Sequence, residues 1–134
     1  MADPMNELLE GARRIAVVGA SDDTSRDSNR VMGVLLRAGY DVVPVNPSVD
    51  EVHGVPAVGS LEEVDGEIDI VDVFRRPEHA PDIAREAVGA GAKTVWLQEG
   101  IRSPQAREIA MEGGLGYVED LCLGATVEHA GLGG

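Results

Sequence analysis

The chain of 134 residues is long enough for one domain with one hydrophobic core, so folding requires neither disulfides nor a structural metal. Its 24 Asp and Glu outnumber its 11 Lys and Arg, and the formal net charge of −13 disfavours nucleic acid and anionic membranes as partners. The single cysteine, Cys122, excludes an intrachain disulfide framework and a zinc site built from several cysteines.

The first ten residues carry three acidic groups and no basic group, unlike a secretory signal peptide. No apolar run approaches the ~20 residues that cross a bilayer. We therefore expect a soluble, cytoplasmic protein that folds as one domain over residues 1–134.

Apolar residues recur at helical spacing in four segments, which predicts four helices. The first, over residues 1–12, has Asp3 as its N-cap and Pro4 in the first helical position. The other three are predicted around residues 31–38, 80–88 and 106–113. A capping box formed by Ser60 and Glu63 predicts a short helix over residues 60–64. The tail, residues 130–134, is expected to fray.

Short runs rich in β-branched residues lie between these helices, at residues 15–18, 42–45, 68–73 and 94–97, with a weaker run at 116–119. Their nearly continuous apolarity is typical of strands that are buried on both faces. Alternation of such strands with helices predicts an α/β fold with an open five-stranded parallel sheet. Because open parallel sheets bind ligands at the carboxyl ends of their strands, the residues that follow each strand are the candidate site.

Arginines are concentrated in these segments. Five of the ten arginines follow a predicted strand or begin the helix after it: Arg26, Arg30, Arg75, Arg76 and Arg102. In an acidic chain this concentration predicts an anion site, with bidentate arginines and the helix N-terminus near Ser28 available for phosphate groups. The alternative is that the arginines only pair with neighbouring carboxylates.

The motif expected of a nicotinamide dinucleotide site is missing. The fingerprint G-x-G-x-x-G is absent, since Gly19 is the only glycine in the first turn and the next is Gly33. The second strand ends at Asn46 and Pro47, without an acidic residue to hold a ribose hydroxyl. NAD is therefore disfavoured and stays open as an alternative.

Six ordered segments resemble the small stand-alone CoA-binding proteins, which are similar to the N-terminal CoA-binding domain of the succinyl-CoA synthetase α subunit. These segments are IAVVGAS (15–21), GY (39–40), VPVNP (43–47), VDVFR (71–75), VWLQEG (95–100) and DLC (120–122). The resemblance extends over residues 7–128. It implies a three-layer Rossmann-like fold and coenzyme A (CoA), or an acyl-CoA, as ligand.

The resemblance also implies which residues embrace the ligand. Carried over by position, the turns after the first three strands and the Q-x-G block supply Gly19, Ala20, Ser21, Asn46, Pro47, Phe74, Arg75, Gln98 and Gly100. Ser25 and Arg26, in the loop before the next helix, are candidates for the phosphates. One departure is Leu121, which stands where the family often has an arginine; this removes a positive charge beside Cys122.

The function predicted from these residues is binding of CoA or acyl-CoA without catalysis by this chain. In the synthetase that the chain resembles, the phosphorylated histidine belongs to a second domain, and no nucleophile–base pair or metal-ligand spacing replaces it here. One alternative is a small nucleotide-dependent oxidoreductase or a CoA-thiol redox protein that uses Cys122. Another is a regulatory module that reports CoA status to a protein partner, which the sequence does not identify.

Several single residues have two interpretations. For Cys122, a small buried hydrophobe at the edge of the sheet is favoured over a mixed disulfide with CoA. For Asp69 and Asp72, solvated or capping roles are favoured over a catalytic carboxylate pair. Trp96 is expected in the core, and Phe74, at the end of a strand, is expected to pack against the ligand.

The acidic surface generates the first testable prediction. Self-repulsion at a net charge of −13 is screened as the Debye length falls from about 30 Å at 0.01 M salt to about 3 Å at 1 M. We expect the melting temperature of the ligand-free protein to rise in KCl, with most of the gain below about 1 M. The acidic surface and the single lysine, Lys93, have two explanations: adaptation to a salt-rich cytoplasm, or codon bias towards arginine. A flat response would contradict the first and favour the second.

Overall fold

The computed structural model describes residues 3–131. Its helices are α1 (Pro4–Gly11), α2 (Asp27–Arg37), α3 (Ala80–Gly89), α4 (Pro104–Glu112) and α5 (Leu123–His129). Its strands are β1 (Arg14–Val18), β2 (Asp41–Val45), β3 (Glu51–Val52), β4 (Val55–Pro56), β5 (Ile70–Val73), β6 (Thr94–Leu97) and β7 (Gly116–Val118). Short 3₁₀ helices cover Leu61–Glu63 and Pro77–His79. Residues 132–134 of the tail that was expected to fray lie outside the described residues.

The main sheet has five parallel strands in the order β2-β1-β5-β6-β7. The chain moves from β1 outward to β2 and then returns to the other side of β1 to form β5. Loops that leave the carboxyl ends of β1 and β5 therefore diverge onto opposite faces of the sheet and leave a crevice between them. This topology confirms the predicted α/β Rossmann-like fold and its five-stranded parallel sheet.

Helices cover both faces of the sheet. Buried residues of α3 and α4 pack on one face, against side chains such as Val71 and Val95. Residues of α1, α2 and α5 pack on the other face, against Ile15, Val17 and Trp96. Trp96 is fully buried, as predicted, and its indole Nε1 donates to the Leu121 carbonyl at 2.8 Å.

Local signals in the sequence correspond to the observed helix ends. Asp3 caps α1 by accepting from the Met5 N–H at 2.9 Å. The capping box of Ser60 and Glu63 is formed, although it begins a 3₁₀ turn rather than an α-helix. Within residues 3–131 no helix has both the length and the apolarity that a membrane span requires.

The β3–β4 pair and helix α5 were not predicted from the sequence. The antiparallel pair β3–β4 has strands of only two residues, too short for an alternating pattern to be recognised. Helix α5 has only seven residues and includes Gly124, a poor helix former, so its apolar spacing was missed. Leu123 and Val127 are nevertheless fully buried against α2 and the sheet.

Asp72 corrects a prediction, because it is neither solvated nor a cap. It lies within β5 and is fully buried on the α2–α5 side of the sheet. Its Oδ1 accepts from the Gln98 amide nitrogen at 2.7 Å, and its Oδ2 has no hydrogen-bond partner among residues 3–131. Burial raises the pKa of Asp72 well above its ordinary value, and the hydrogen bond from Gln98 offsets only part of this rise. Burial therefore favours the neutral form of this side chain.

A second prediction follows from this buried carboxyl. Because its pKa is raised on folding, the stability it confers is complete below the ordinary value of 3.8 and is lost as pH rises towards the folded-state pKa. Asp72→Asn keeps the shape and an acceptor for Gln98 but cannot ionise. We expect urea unfolding to show the variant gaining stability over the wild type as pH rises from 4 to 8.

The exposed carboxylate Asp50 provides the control, since Asp50→Asn makes the same charge change on the surface. A difference between wild type and Asp72→Asn that does not change with pH would show that Asp72 ionises normally.

Candidate functional site

A cleft of about 1000 Å³ opens at the carboxyl edge of the sheet. Its walls come from the segments that follow β1, β2, β5 and β6, from the start of α2 and from the residue that precedes α5. The lining residues are Gly19, Ala20, Ser21, Ser25, Arg26, Asp27, Ser28, Arg30, Val31, Asn46, Ser48, Phe74, Arg75, Arg76, Pro77, Gln98, Glu99, Ile101 and Cys122.

Most of the residues assigned to the site from the sequence lie here. The nine that line the cleft are Gly19, Ala20, Ser21, Ser25, Arg26, Asn46, Phe74, Arg75 and Gln98. Pro47 and Gly100 do not line it. Gly100 instead donates its backbone N–H to the Asp120 carboxylate at 2.7 Å. Sequence reasoning named Ser28 only through the helix N-terminus and missed Val31, which lies one turn further along α2 and also lines the cleft. The spacing of three residues between them was the available signal.

Gly19 sits where two strand ends approach closely. Its φ is +87°, a conformation that L side chains rarely adopt. A Cβ at this position would lie 2.9 Å from the Phe74 carbonyl oxygen and 3.1 Å from Cδ of Arg75. The glycine thus lets the turn after β1 pack against the backbone that follows β5, and the two sides of the crevice meet at this point.

The loop after β1 is held by its own polar side chains. The Asp23 carboxylate accepts from both the backbone N–H and the hydroxyl of Ser25, at 2.9 and 2.7 Å. These bonds lower the pKa of Asp23, the Ser25 hydroxyl contributing most. The Ser21 hydroxyl accepts from the Asp23 N–H at 3.0 Å, and Asn29 donates its side-chain amide to the Ser21 carbonyl at 2.9 Å. The loop that carries Arg26 into α2 is therefore braced by its own hydrogen bonds.

Two amide side chains in the cleft support its walls. Asn46, after β2, donates to the Ala20 carbonyl at 2.7 Å and so ties the second strand end to the first. Gln98, after β6, donates to Asp72 and accepts from the Leu123 N–H at 3.3 Å, which fixes the start of α5 against the sheet. Both residues were expected to contact ligand directly, and much of their hydrogen-bonding capacity is already used within the protein.

The cleft is positive although the chain is acidic. Four arginines line it, Arg26, Arg30, Arg75 and Arg76, against the two carboxylates of Asp27 and Glu99.

Three of these arginines have only loose carboxylate partners. Arg26 lies 4.0 Å from Asp23, Arg30 lies 3.7 Å from Asp27, and Arg76 lies 3.8 Å from Glu78. Exposed contacts of this length contribute little energy, so these guanidinium groups are available to an anion.

Arg75 is the most available cation in the cleft. Its side chain is exposed, and it forms no ion pair with any carboxylate in residues 3–131. Arg102, which the sequence grouped with these arginines, is different. It donates from Nε and Nη2 to one Asp120 oxygen at 3.0 and 2.7 Å, and it does not line the cleft. Four of the five predicted arginines thus converge on one site.

Cys122 meets its prediction only in part: it packs against the apolar core as a small hydrophobe, but it is not fully buried. It is half-buried, precedes α5 and lines the cleft beside Gln98 and Ile101. Its position follows from α5, which was not predicted. Among residues 3–131 no cluster of His, Cys, Asp and Glu could hold a metal ion.

Comparison with known proteins relates this cleft to a family. Residues 13–128 match the model of a CoA binding domain. The uncharacterized protein YneT of Bacillus subtilis (strain 168) is 44% identical over 126 residues, which cover 94% of this chain and 92% of that protein. The α subunit of acetate–CoA ligase [ADP-forming] II of Pyrococcus furiosus is 31% identical, over 96% of this chain and 30% of that subunit.

Solved structures of similar size share the fold. A hypothetical protein from Pyrococcus horikoshii OT3 is 37% identical, with a TM-score of 0.91 over 94% of this chain and 89% of that chain. A protein from Thermus thermophilus is 38% identical, with a TM-score of 0.90 over 94% of this chain and 96% of that chain. The family match covers every element that forms the cleft, and the chain therefore belongs to the CoA-binding domain family.

Proposed function

We propose that this chain binds CoA or an acyl-CoA in the cleft at the carboxyl edge of its sheet. The observation that carries the proposal is a cleft lined by four arginines in a protein whose net charge is −13. CoA carries a pyrophosphate and a ribose 3′-phosphate, and guanidinium groups recognise phosphates through charge-assisted, often bidentate hydrogen bonds. Membership of the CoA-binding domain family supports the same ligand.

The distribution of charged residues in the cleft indicates how the ligand is oriented. The arginines lie after β5 and at the start of α2, so the phosphates belong at that end of the cleft. Gln98, Glu99 and Ile101 instead follow β6 and Cys122 precedes α5, and the Glu99 carboxylate would repel a phosphate. The thiol end of the pantetheine arm therefore belongs beside Cys122. Phe74 and Val31 provide apolar contact between the two ends.

Similarity to a subunit of a CoA ligase also supports CoA binding by this chain. The similar Pyrococcus furiosus protein is named as a subunit of an acetate–CoA ligase, and the match covers 30% of that subunit. The matched part corresponds to nearly all of this chain. We infer that the shared part is the portion that holds the coenzyme.

Mass spectrometry of gently purified protein tests this function directly. Under non-denaturing conditions we expect a non-covalent complex whose added mass is that of CoA or an acyl-CoA. A bound nicotinamide dinucleotide would overturn the assignment. A covalent CoA adduct on Cys122 that dithiothreitol removes would favour the thiol-redox alternative, for which the position of Cys122 in the cleft is the supporting observation.

Arg75→Ala generates a prediction about affinity. Loss of charge-assisted bonds to a phosphate costs ~1.5–3 kcal/mol, so we expect the Kd for CoA to rise about 10- to 150-fold in titration calorimetry. Arg107→Ala removes the same charge from an exposed position outside the cleft and should leave the Kd nearly unchanged. Equal Kd values for wild type and Arg75→Ala would remove Arg75 from the site.

Gly19→Ala generates a prediction about the crevice. The added Cβ would press on the Phe74 carbonyl, so the turn must move away from the ligand. The matched control is Gly39→Ala: its φ of +96° gives similar backbone strain, about 1–2 kcal/mol, but a Cβ there meets nothing within 4 Å. We expect both variants to lose stability in urea and only Gly19→Ala to lose affinity for CoA. Wild-type affinity in Gly19→Ala would show that the ligand lies elsewhere.

A further inference from the structure

A second, smaller cavity adjoins the thiol end of the cleft. It has a volume of about 400 Å³ and lies between the segment before α5 and the exposed side of that helix. It is lined by Glu99, Asp120, Leu121, Cys122, Ala125, Thr126 and His129. Glu99 and Cys122 line both cavities, so the two adjoin each other at the point where the proposed function places the thiol of CoA.

The wall of this second cavity is mainly apolar, and two of its polar groups have partners inside the protein. The Thr126 hydroxyl donates to the Cys122 carbonyl at 2.7 Å. The Asp120 carboxylate accepts from the Gly100 N–H and from Arg102, each at 2.7 Å. Beside the side chains of Glu99 and His129, the wall presents carbon surface that includes Leu121, which is 38% exposed.

Exposed apolar carbon beside a ligand cleft requires an explanation. Leu121 and Met111 are the only large hydrophobic residues that are exposed in residues 3–131. Met111 lies outside both cavities, whereas Leu121 lines the second one. An apolar occupant would remove the Leu121 side chain from water, and the hydrophobic gain would contribute to binding.

We propose that the second cavity is an acyl subsite, so that the ligand is a CoA thioester with a short, uncharged acyl group. This inference rests on the proposed function, because it needs the thiol end of CoA at Cys122. The carboxylate of Glu99 stands at the cavity and repels an acyl group that ends in a carboxylate, whereas the charge of Asp120 is offset by Arg102. The site therefore favours a linear aliphatic thioester over a dicarboxylic one.

Calorimetry with CoA, acetyl-CoA, butyryl-CoA and succinyl-CoA tests this subsite. Burial of each added methylene gives about a fourfold gain, so butyryl-CoA, which has two more methylenes, should bind about 15-fold more tightly than acetyl-CoA. Succinyl-CoA has the same number of acyl carbons as butyryl-CoA and should bind no better than CoA. Equal Kd values for CoA, acetyl-CoA and butyryl-CoA would overturn the acyl subsite alone. If none of these compounds bound, the proposed function itself would fail.

Two variants locate the effect in the second cavity. Leu121→Ala removes part of its apolar wall, and Ala125→Glu places a charge in it; both residues are exposed, so the fold should tolerate them. We expect each to reduce the ratio of the acetyl-CoA Kd to the butyryl-CoA Kd to about one. Met111→Ala, the matched exposed control, should keep the wild-type ratio. A wild-type ratio in both Leu121→Ala and Ala125→Glu would place the acyl group elsewhere.

Discussion

The parallel direction of the five strands is the constraint on which the rest of the structure depends. Every segment that follows a strand emerges at the same edge of the sheet, and the order β2-β1-β5 opens a crevice between β1 and β5 at that edge. Residues far apart in the sequence, such as Arg26 and Arg75, are thereby brought to one cleft. A local cluster of positive charge forms in a chain whose net charge would otherwise repel a polyphosphate ligand.

A framework of hydrogen bonds keeps this edge in place without the ligand. Asn46 joins the ends of β2 and β1, and Gln98 joins the sheet to α5 through the buried neutral acid of Asp72. These bonds fix the strand ends and the start of α5 that form the walls of the cleft, so binding does not have to order those walls. Association of a phosphate-bearing ligand then costs less conformational entropy than it would in a flexible loop.

The sheet, four of its helices and most of the site could be predicted from the sequence because their signals are local. Runs of β-branched residues mark the strands, and helical spacing with caps marks the helices.

The burial of Asp72 could not be predicted, because sequence patterns place a carboxylate in solvent. In the structure, burial raises the pKa of Asp72, which favours its neutral form in the core. The position of Cys122 in the cleft could not be predicted, because it depends on α5. The seven residues of α5 form a helix because of tertiary packing more than because of their helix propensity. Pro47 and Gly100 follow the expected strands but do not line the cleft, and spacing along the chain does not determine which loop residues do so.

The central claim is that arginines at the carboxyl edge of the sheet recognise the phosphates of CoA. Parallel calorimetric titrations with CoA and with pantetheine, which has the same thiol arm and no phosphate, test it most directly. Loss of several charge-assisted hydrogen bonds predicts that pantetheine binds at least about 100-fold more weakly than CoA. Equal Kd values for CoA and pantetheine would contradict the account, because the arginine cluster would then contribute nothing to recognition.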